Sequence, residues 1–244
     1  MKKDVHKDKE VPSNDPWRLA DLTAFEKSVL ERVEQFTMTG PERIISLIRA
    51  TEYVVKSGIE GDFVECGVWK GGSAMAMACA LQNQGVDNRR IFLYDTFEGM
   101  SQPTSKDRSL DGISAEILLK KSHKGDARSV WCYSTLEDVK SNMSSTSYPE
   151  ENIHYVMGKV EETIPNHVVP EKIALLRLDT DWYESTKHEL EHLFPRLQKG
   201  GVLIIDDYGH WEGCRKAVDE YLHTHNIQLF LNRIDYTCRL AIKM

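Results

Sequence analysis

The chain has 244 residues, 41% hydrophobic and 28% charged, which is apolar material for one sizeable core and little for a second. Its formal net charge of −7 disfavours a nucleic-acid partner, because such proteins gather Lys and Arg on one face to displace counterions from phosphates. The longest apolar runs, such as Val202 to Ile205, are far shorter than the ~20 residues a membrane-spanning helix requires.

Residues 1–15 are charged and Pro-containing and lack the apolar stretch of a secretory signal, so a flexible tail is expected there, followed by one domain over 16–244. From Leu22 to Lys56, apolar residues recur at helical spacing (Phe25, Val29, Val33, Phe36, then Ile44, Ile45, Ile48, Tyr53), interrupted by Thr39-Gly40-Pro41. This pattern predicts two helices ahead of the first strand. Short β-rich runs follow at Asp62 to Cys66, Arg90 to Tyr94, Asn152 to Val156, Ile173 to Leu178 and Val202 to Ile205. Glu184 to Leu197 has helical periodicity and ends at Lys199-Gly200-Gly201. Strands that are hydrophobic throughout and separated by helical segments predict a doubly wound α/β fold, its mostly parallel sheet covered on both faces. The alternation in Gln228 to Met244 predicts an antiparallel pair closing that sheet. Residues 101–129 begin with a long polar stretch, Ser101 to Lys124, which suits an active-site lid. Cys66, Cys79, Cys132, Cys214 and Cys238 are scattered without a C-x-x-C pair, the pattern of reduced thiols in a cytoplasmic protein.

In such sheets ligands bind outside the carboxyl ends of the strands, and acids recur there. The first strand runs into Glu65-Cys66-Gly67-Val68-Trp69-Lys70-Gly71-Gly72-Ser73, a Gly-bearing turn that opens a helix near Ser73 and lets a ligand approach the backbone. Its spacing is not the G-x-G-x-x-G dinucleotide fingerprint, which disfavours a nicotinamide oxidoreductase, and the carboxylate of Glu65 suits a cationic amino group better than a pyrophosphate. The second strand ends in Tyr94-Asp95-Thr96-Phe97, where Asp95 can accept ribose hydroxyls and Phe97 can flank an adenine. Asp179 and Asp181 follow the fourth run, and Asp206 and Asp207 follow the fifth. A single Asp in such a place more often caps the next helix. Carboxylates a few ångströms apart repel by on the order of 1–4 kcal/mol per pair, so four together call for a divalent ion, and the absence of a His/Cys set selects Mg²⁺, Ca²⁺ or Mn²⁺ over zinc. His210 follows the double Asp and can serve as a proton relay or as a polar loop contact.

Five ordered motifs, Phe36-Thr37-Met38-Thr39, Gly61-Asp62-Phe63-Val64-Glu65-Cys66-Gly67-Val68-Trp69, Tyr94-Asp95-Thr96-Phe97-Glu98-Gly99-Met100, Leu178-Asp179-Thr180-Asp181 and Ile205-Asp206-Asp207-Tyr208-Gly209, resemble the macrocin O-methyltransferase family from about Phe36 onward. The resemblance implies a Rossmann-like methyltransferase fold and methylation of a sugar hydroxyl on a glycosylated natural product. It implies S-adenosylmethionine in a crevice bounded by Glu65, Cys66, Gly67, Ser73, Tyr94, Asp95, Thr96 and Phe97, with Thr37 and Met38 folded over it and Ser134 near the adenine. It also implies Mg²⁺ on Asp179, Asp206 and Asp207, Asp181 as general base, a small-molecule glycoside as acceptor, and a homo-oligomer. A metal-dependent hydrolase using the same acids to activate water, and a silent nucleotide-binding module, are the alternatives at this point.

Overall fold

The computed structural model describes residues 20–126, 129–166 and 169–244; the tail expected over residues 1–15 lies outside them. Two helices lead, α1 (Ala24–Val33) and α2 (Pro41–Lys56). Helix α1 starts at a capping box in which the Thr23 hydroxyl accepts the Glu26 N–H and the Glu26 carboxylate answers the Thr23 N–H. Helix α2 starts at Pro41, whose missing N–H costs nothing in a first turn. The expected break at Thr39-Gly40-Pro41 is present.

A seven-stranded sheet follows in the spatial order β3-β2-β1-β4-β5-β7-β6. It is built from β1 (Asp62–Cys66), β2 (Ile91–Asp95), β3 (Ile153–Met157), β4 (Ile173–Leu178), β5 (Leu197–Ile205), β6 (Asn232–Arg233) and β7 (Arg239–Ile242). Strands β1 to β5 are parallel, and β7 joins β5 and β6 antiparallel, as the C-terminal alternation predicts. Strand β5 begins at Leu197 instead of Val202, because Lys199-Gly200-Gly201 continues the strand through a bulge facing Ile173 and Leu175.

Alternate residues of the central strands face opposite layers, which is why these runs are apolar throughout. Phe63, Leu93, Leu175 and Val202 pack with α1, α2, α3 (Gly72–Asn83) and α5 (Leu136–Ser144). Val64, Phe92, Leu176 and Leu203 pack on the other side with α4 (Ala115–Lys121), α6 (Val160–Thr163), α7 (Tyr183–Leu193) and α8 (Glu212–Thr224). Helix α7 stops at Leu193 and not at Leu197, since a short 3₁₀ turn containing Pro195 succeeds it. Helix α8 was not anticipated, although Cys214, Ala217, Val218 and Tyr221 bury at helical spacing. Among the described residues no helix is long and apolar enough to cross a membrane, and no cysteine is paired.

The strand order reverses between β1 and β4, so their carboxyl ends diverge and leave a crevice. Gly67 sits at its floor with φ +84°, and a Cβ there would overlap the Asp179 carbonyl. Gly67→Ala is expected to cost about 3 kcal/mol through left-handed strain and that clash, seen in thermal denaturation as a Tm lowered by roughly 6–12 °C.

Candidate active site

A cavity of about 430 Å³ opens at these strand ends. The segment entering α2 supplies Thr37, Met38, Thr39 and Arg43, and the β1 turn supplies Gly67, Val68, Trp69 and Ser73. Strand β2 brings Tyr94, Asp95 and Thr96, the turn after β4 brings Asp179 and Asp181, and the turn after β5 brings Asp206, Asp207, His210 and Trp211. The N-terminal segment closes tightly over α3, because Gly72 presents no side chain to the Phe36 carbonyl and Thr37.

Beneath the cavity lies Arg177, 1% exposed near the carboxyl end of β4. Register places it beside Glu65 of β1, so both side chains leave the same face of the sheet. Its Nη1 donates to Glu65 Oε1 at 2.5 Å and to Asp179 Oδ2 at 2.8 Å, while Nη2 donates to Asp206 Oδ1 at 2.8 Å and to the Thr39 hydroxyl at 3.0 Å. Asp206 Oδ2 meets a second guanidinium, that of Arg43, whose Nε also reaches Asp235 at 3.1 Å. Burial opposes ionisation of Asp206, but Arg177 and Arg43 outweigh it and hold this carboxyl below the usual range.

Its neighbours are in the opposite condition. Asp179, Asp181 and Asp207 each place a carboxylate oxygen within 4.8 Å of the others. Burial pushes Asp179 and Asp207 well up, and mutual repulsion adds to the shift. Burial, with repulsion from Asp179 and Asp206, raises Asp181 to about 7. Asp207 Oδ2 is buried without a hydrogen-bond partner. Crowded hard oxygens, one of them orphaned, form a donor set for a cation such as Mg²⁺. His210 is partly buried, which lowers its pKa, and its Nδ1 lies 3.4 Å from the Tyr236 hydroxyl.

The residues expected to hold a nucleoside separate into two groups. Thr37, Met38, Gly67, Ser73, Tyr94, Asp95 and Thr96 line the cavity; Glu65, Cys66, Phe97 and Ser134 lie outside the wall. Glu65 sits just beneath it, one oxygen shared by Ser73 Oγ and Arg177 and the other without a partner. Phe97 has φ +52° and its N–H bound by Asp95, which turns its ring toward Tyr155 instead of into the crevice. Asp95 reaches the cavity, yet its oxygens already accept the N–H groups of Val68, Trp69 and Phe97, so a ribose hydroxyl must share them. Sequence reasoning missed Arg43, Arg177 and Trp211. A single charge inside the apolar run IALLRL was the available signal for Arg177. Arg43 carries no such mark, since it sits in the first turn of an amphipathic helix.

The family profile described as Macrocin-O-methyltransferase (TylF) matches residues 31–241. Similar proteins include the 8-demethyl-8-(2,3-dimethoxy-alpha-L-rhamnosyl)-tetracenomycin-C 4'-O-methyltransferase of Streptomyces olivaceus, 35% identical over 82% of this chain and 73% of the relative. The mycinamicin III 3''-O-methyltransferase of Micromonospora griseorubida is 33% identical over 82% of this chain and 75% of its own. The solved structure of the O-methyltransferase NovP superposes with TM-score 0.75 at 29% identity, covering 86% of this chain and 82% of that one.

Two outcomes follow from the charges. Arg177→Ala strands three carboxylates without their shared cation and should cost about 3–5 kcal/mol in chemical denaturation. Raised carboxyl groups favour the native state only while protonated: that contribution is complete below about pH 4 and is lost as pH rises through about 7 for Asp181. A divalent cation held by these acids would require their ionised form, so a thermal shift produced by Mg²⁺ or Mn²⁺ is expected to grow from about pH 6 to about pH 8. A shift that is flat or falls over that range contradicts this.

Proposed function

The chain belongs to the macrocin O-methyltransferase family, and from that premise we propose that it methylates a sugar hydroxyl on a small glycosylated natural product, with S-adenosylmethionine as donor and Mg²⁺ at the acidic cluster. It is an O-methyltransferase, and the hydrolase alternative is not favoured. The observation that carries the finer reading is the approach of Asp179, Asp181 and Asp207 within one crevice that also contains the Gly67 turn. The sugar acceptor is supported by the relatives, among them one named for a 4'-O position on a rhamnosyl-bearing tetracenomycin.

Asp179, Asp206 and Asp207 would hold Mg²⁺, which when bound lowers the pKa of a coordinated hydroxyl and fixes its direction. Asp206 fits this set because each of its oxygens keeps a lone pair beyond the one facing Arg177 or Arg43. S-adenosylmethionine would lie along the Gly67 turn and supply an electrophilic methyl group to the acceptor oxygen, its sulfur–methyl bond breaking to leave S-adenosylhomocysteine. Glu65, with one oxygen unpaired beneath the turn, suits its ammonium group, and Thr37 and Met38 cover the cofactor from the α2 side. Asp181 would receive the acceptor's proton, since it lines the crevice with a carboxylate oxygen close to those of Asp179 and Asp207. His210, held neutral by burial beside Tyr236, suits a hydrogen bond to the acceptor more than proton uptake. Holding hydroxyl and methyl in line supplies much of the remaining acceleration.

The test is incubation with S-adenosylmethionine, Mg²⁺ and a rhamnosyl-bearing acceptor, read by mass spectrometry as the exchange of one hydrogen for one methyl group. Chelator should stop the exchange. Asp181→Asn should lower kcat on the order of 10²–10⁴-fold while cofactor affinity stays within about threefold of wild type. An Asp181→Asn enzyme at near-wild-type kcat contradicts the assignment of the base.

A further inference from the structure

The turn that carries Asp179 and Asp181 is strained at its centre. Asp181 has φ +68°, and the Trp182 N–H donates back across it to the Thr180 carbonyl at 2.8 Å. Such a bond closed around a positive φ is the rare form of the γ-turn, which an L residue adopts only where its surroundings impose it. The start of the turn is held from the sheet: the Asp179 N–H donates to the Cys66 carbonyl at 2.8 Å, and the Asp179 carboxylate accepts from Arg177 at 2.8 Å. On its far side the Ser185 hydroxyl donates to the Trp182 carbonyl at 3.1 Å. Between them, Thr180 is held by its own side chain.

That restraint comes from α7. Glu189 is 0% exposed there, and its Oε1 accepts the Thr180 hydroxyl at 2.9 Å, while Oε2 is buried without a hydrogen-bond partner. Its neighbours on the helix, Leu190 and Leu193, belong to the apolar layer that includes Leu176 and Leu178. Burying an acid among them with half of its acceptors unused is unfavourable. An apolar residue would fill the place without that penalty, which leaves the bond to Thr180 as what the acid does there. Arg177 lies on the α2 side of the sheet and Glu189 on the α7 side, so the two hold successive residues of one turn from opposite faces.

We infer that Glu189 is a positioning residue: through Thr180 it holds the strained turn that presents the Asp179 and Asp181 carboxylates to the crevice. This rests on the acid cluster binding the divalent cation proposed above. Thr180→Val keeps the shape and removes the donor, Thr180→Ser keeps the hydroxyl, and Glu189→Gln keeps an accepting oxygen.

The first arm needs neither metal nor acceptor. In the full-length protein, amide hydrogen exchange of a peptide spanning residues 178–183 should be about 10-fold faster in Thr180→Val and in Glu189→Leu than in wild type, with a peptide spanning residues 91–97 unchanged. Thr180→Ser and Glu189→Gln should stay within about twofold of wild type. Thr180→Val carries this arm by itself where Glu189→Leu does not fold. Exchange unchanged in Thr180→Val, quickened equally in both peptides, or as fast in Thr180→Ser as in Thr180→Val overturns the proposal. The second arm is a Mn²⁺ titration followed by electron paramagnetic resonance. Thr180→Val should weaken Mn²⁺ binding about 10-fold with affinity for S-adenosylmethionine within about twofold, and adding Glu189→Leu should weaken it little further, because both act through one bond. Unchanged Mn²⁺ affinity, a matching loss of S-adenosylmethionine affinity, or fully additive losses contradict it. A wild-type protein that takes up no Mn²⁺ while the peptides exchange as described refutes the metal reading and leaves the hold on the turn standing.

Discussion

The Arg177 guanidinium, buried near the carboxyl end of β4, is the charge around which the crevice is built. Desolvating it is costly, and only the carboxylates of Glu65, Asp179 and Asp206 make that position tenable. Each of those acids comes from a different part of the sheet: β1, the turn after β4, and the turn after β5. The ion therefore fixes the register of the three strand ends with respect to one another. Arginine suits the role because it stays protonated and presents donors in a planar fork, so one side chain serves several acids and also Thr39, beside the residues proposed to cover the cofactor. Arg43 adds a second cation above Asp206 and draws Asp235 in from the turn between β6 and β7.

Charge balance then divides the crevice. On the Glu65 side the acid is matched by Arg177 and Ser73, with one oxygen left over. On the other side Asp179, Asp181 and Asp207 exceed the cations nearby, and burial, with repulsion from neighbouring acids added to it, raises their pKa values. The same region holds the strained backbone: Trp69, Cys132 and Asp181 all have positive φ without being glycine, and all line the cavity. Strain and uncompensated charge persist together where the surrounding fold is firm enough to impose both, here through Asp95 gripping the Val68, Trp69 and Phe97 amides and through buried Asp107 accepting the Tyr183 N–H.

Much of this was legible in the sequence because it is written in local patterns. Apolar runs of four to six residues, four of the five followed directly by Gly or Asp, mark the parallel strands and put Glu65, Asp95, Asp179 and Asp206 at or beside their ends. Of the four acids expected to crowd, Asp179, Asp181 and Asp207 come together, while Asp206 faces Arg177 and Arg43. What stayed hidden depends on partners distant in sequence. Nothing local marks Arg43 as the counter-ion of Asp206, and nothing near Phe97 says that Asp95 will hold its N–H and turn its ring into the core. The glycines of the bulge before Val202 look like a turn until Ile173 and Leu175 are seen opposite them.

The central claim is that one crevice holds a cationic cofactor on its Glu65 side and a divalent cation on its Asp179 side. Calorimetric titration of the purified protein with S-adenosylmethionine, in Mg²⁺ and in chelator, with NAD as control, addresses it most directly. Saturable binding of S-adenosylmethionine in both conditions, with none of NAD, is the result this account predicts. No binding of S-adenosylmethionine in either condition contradicts it.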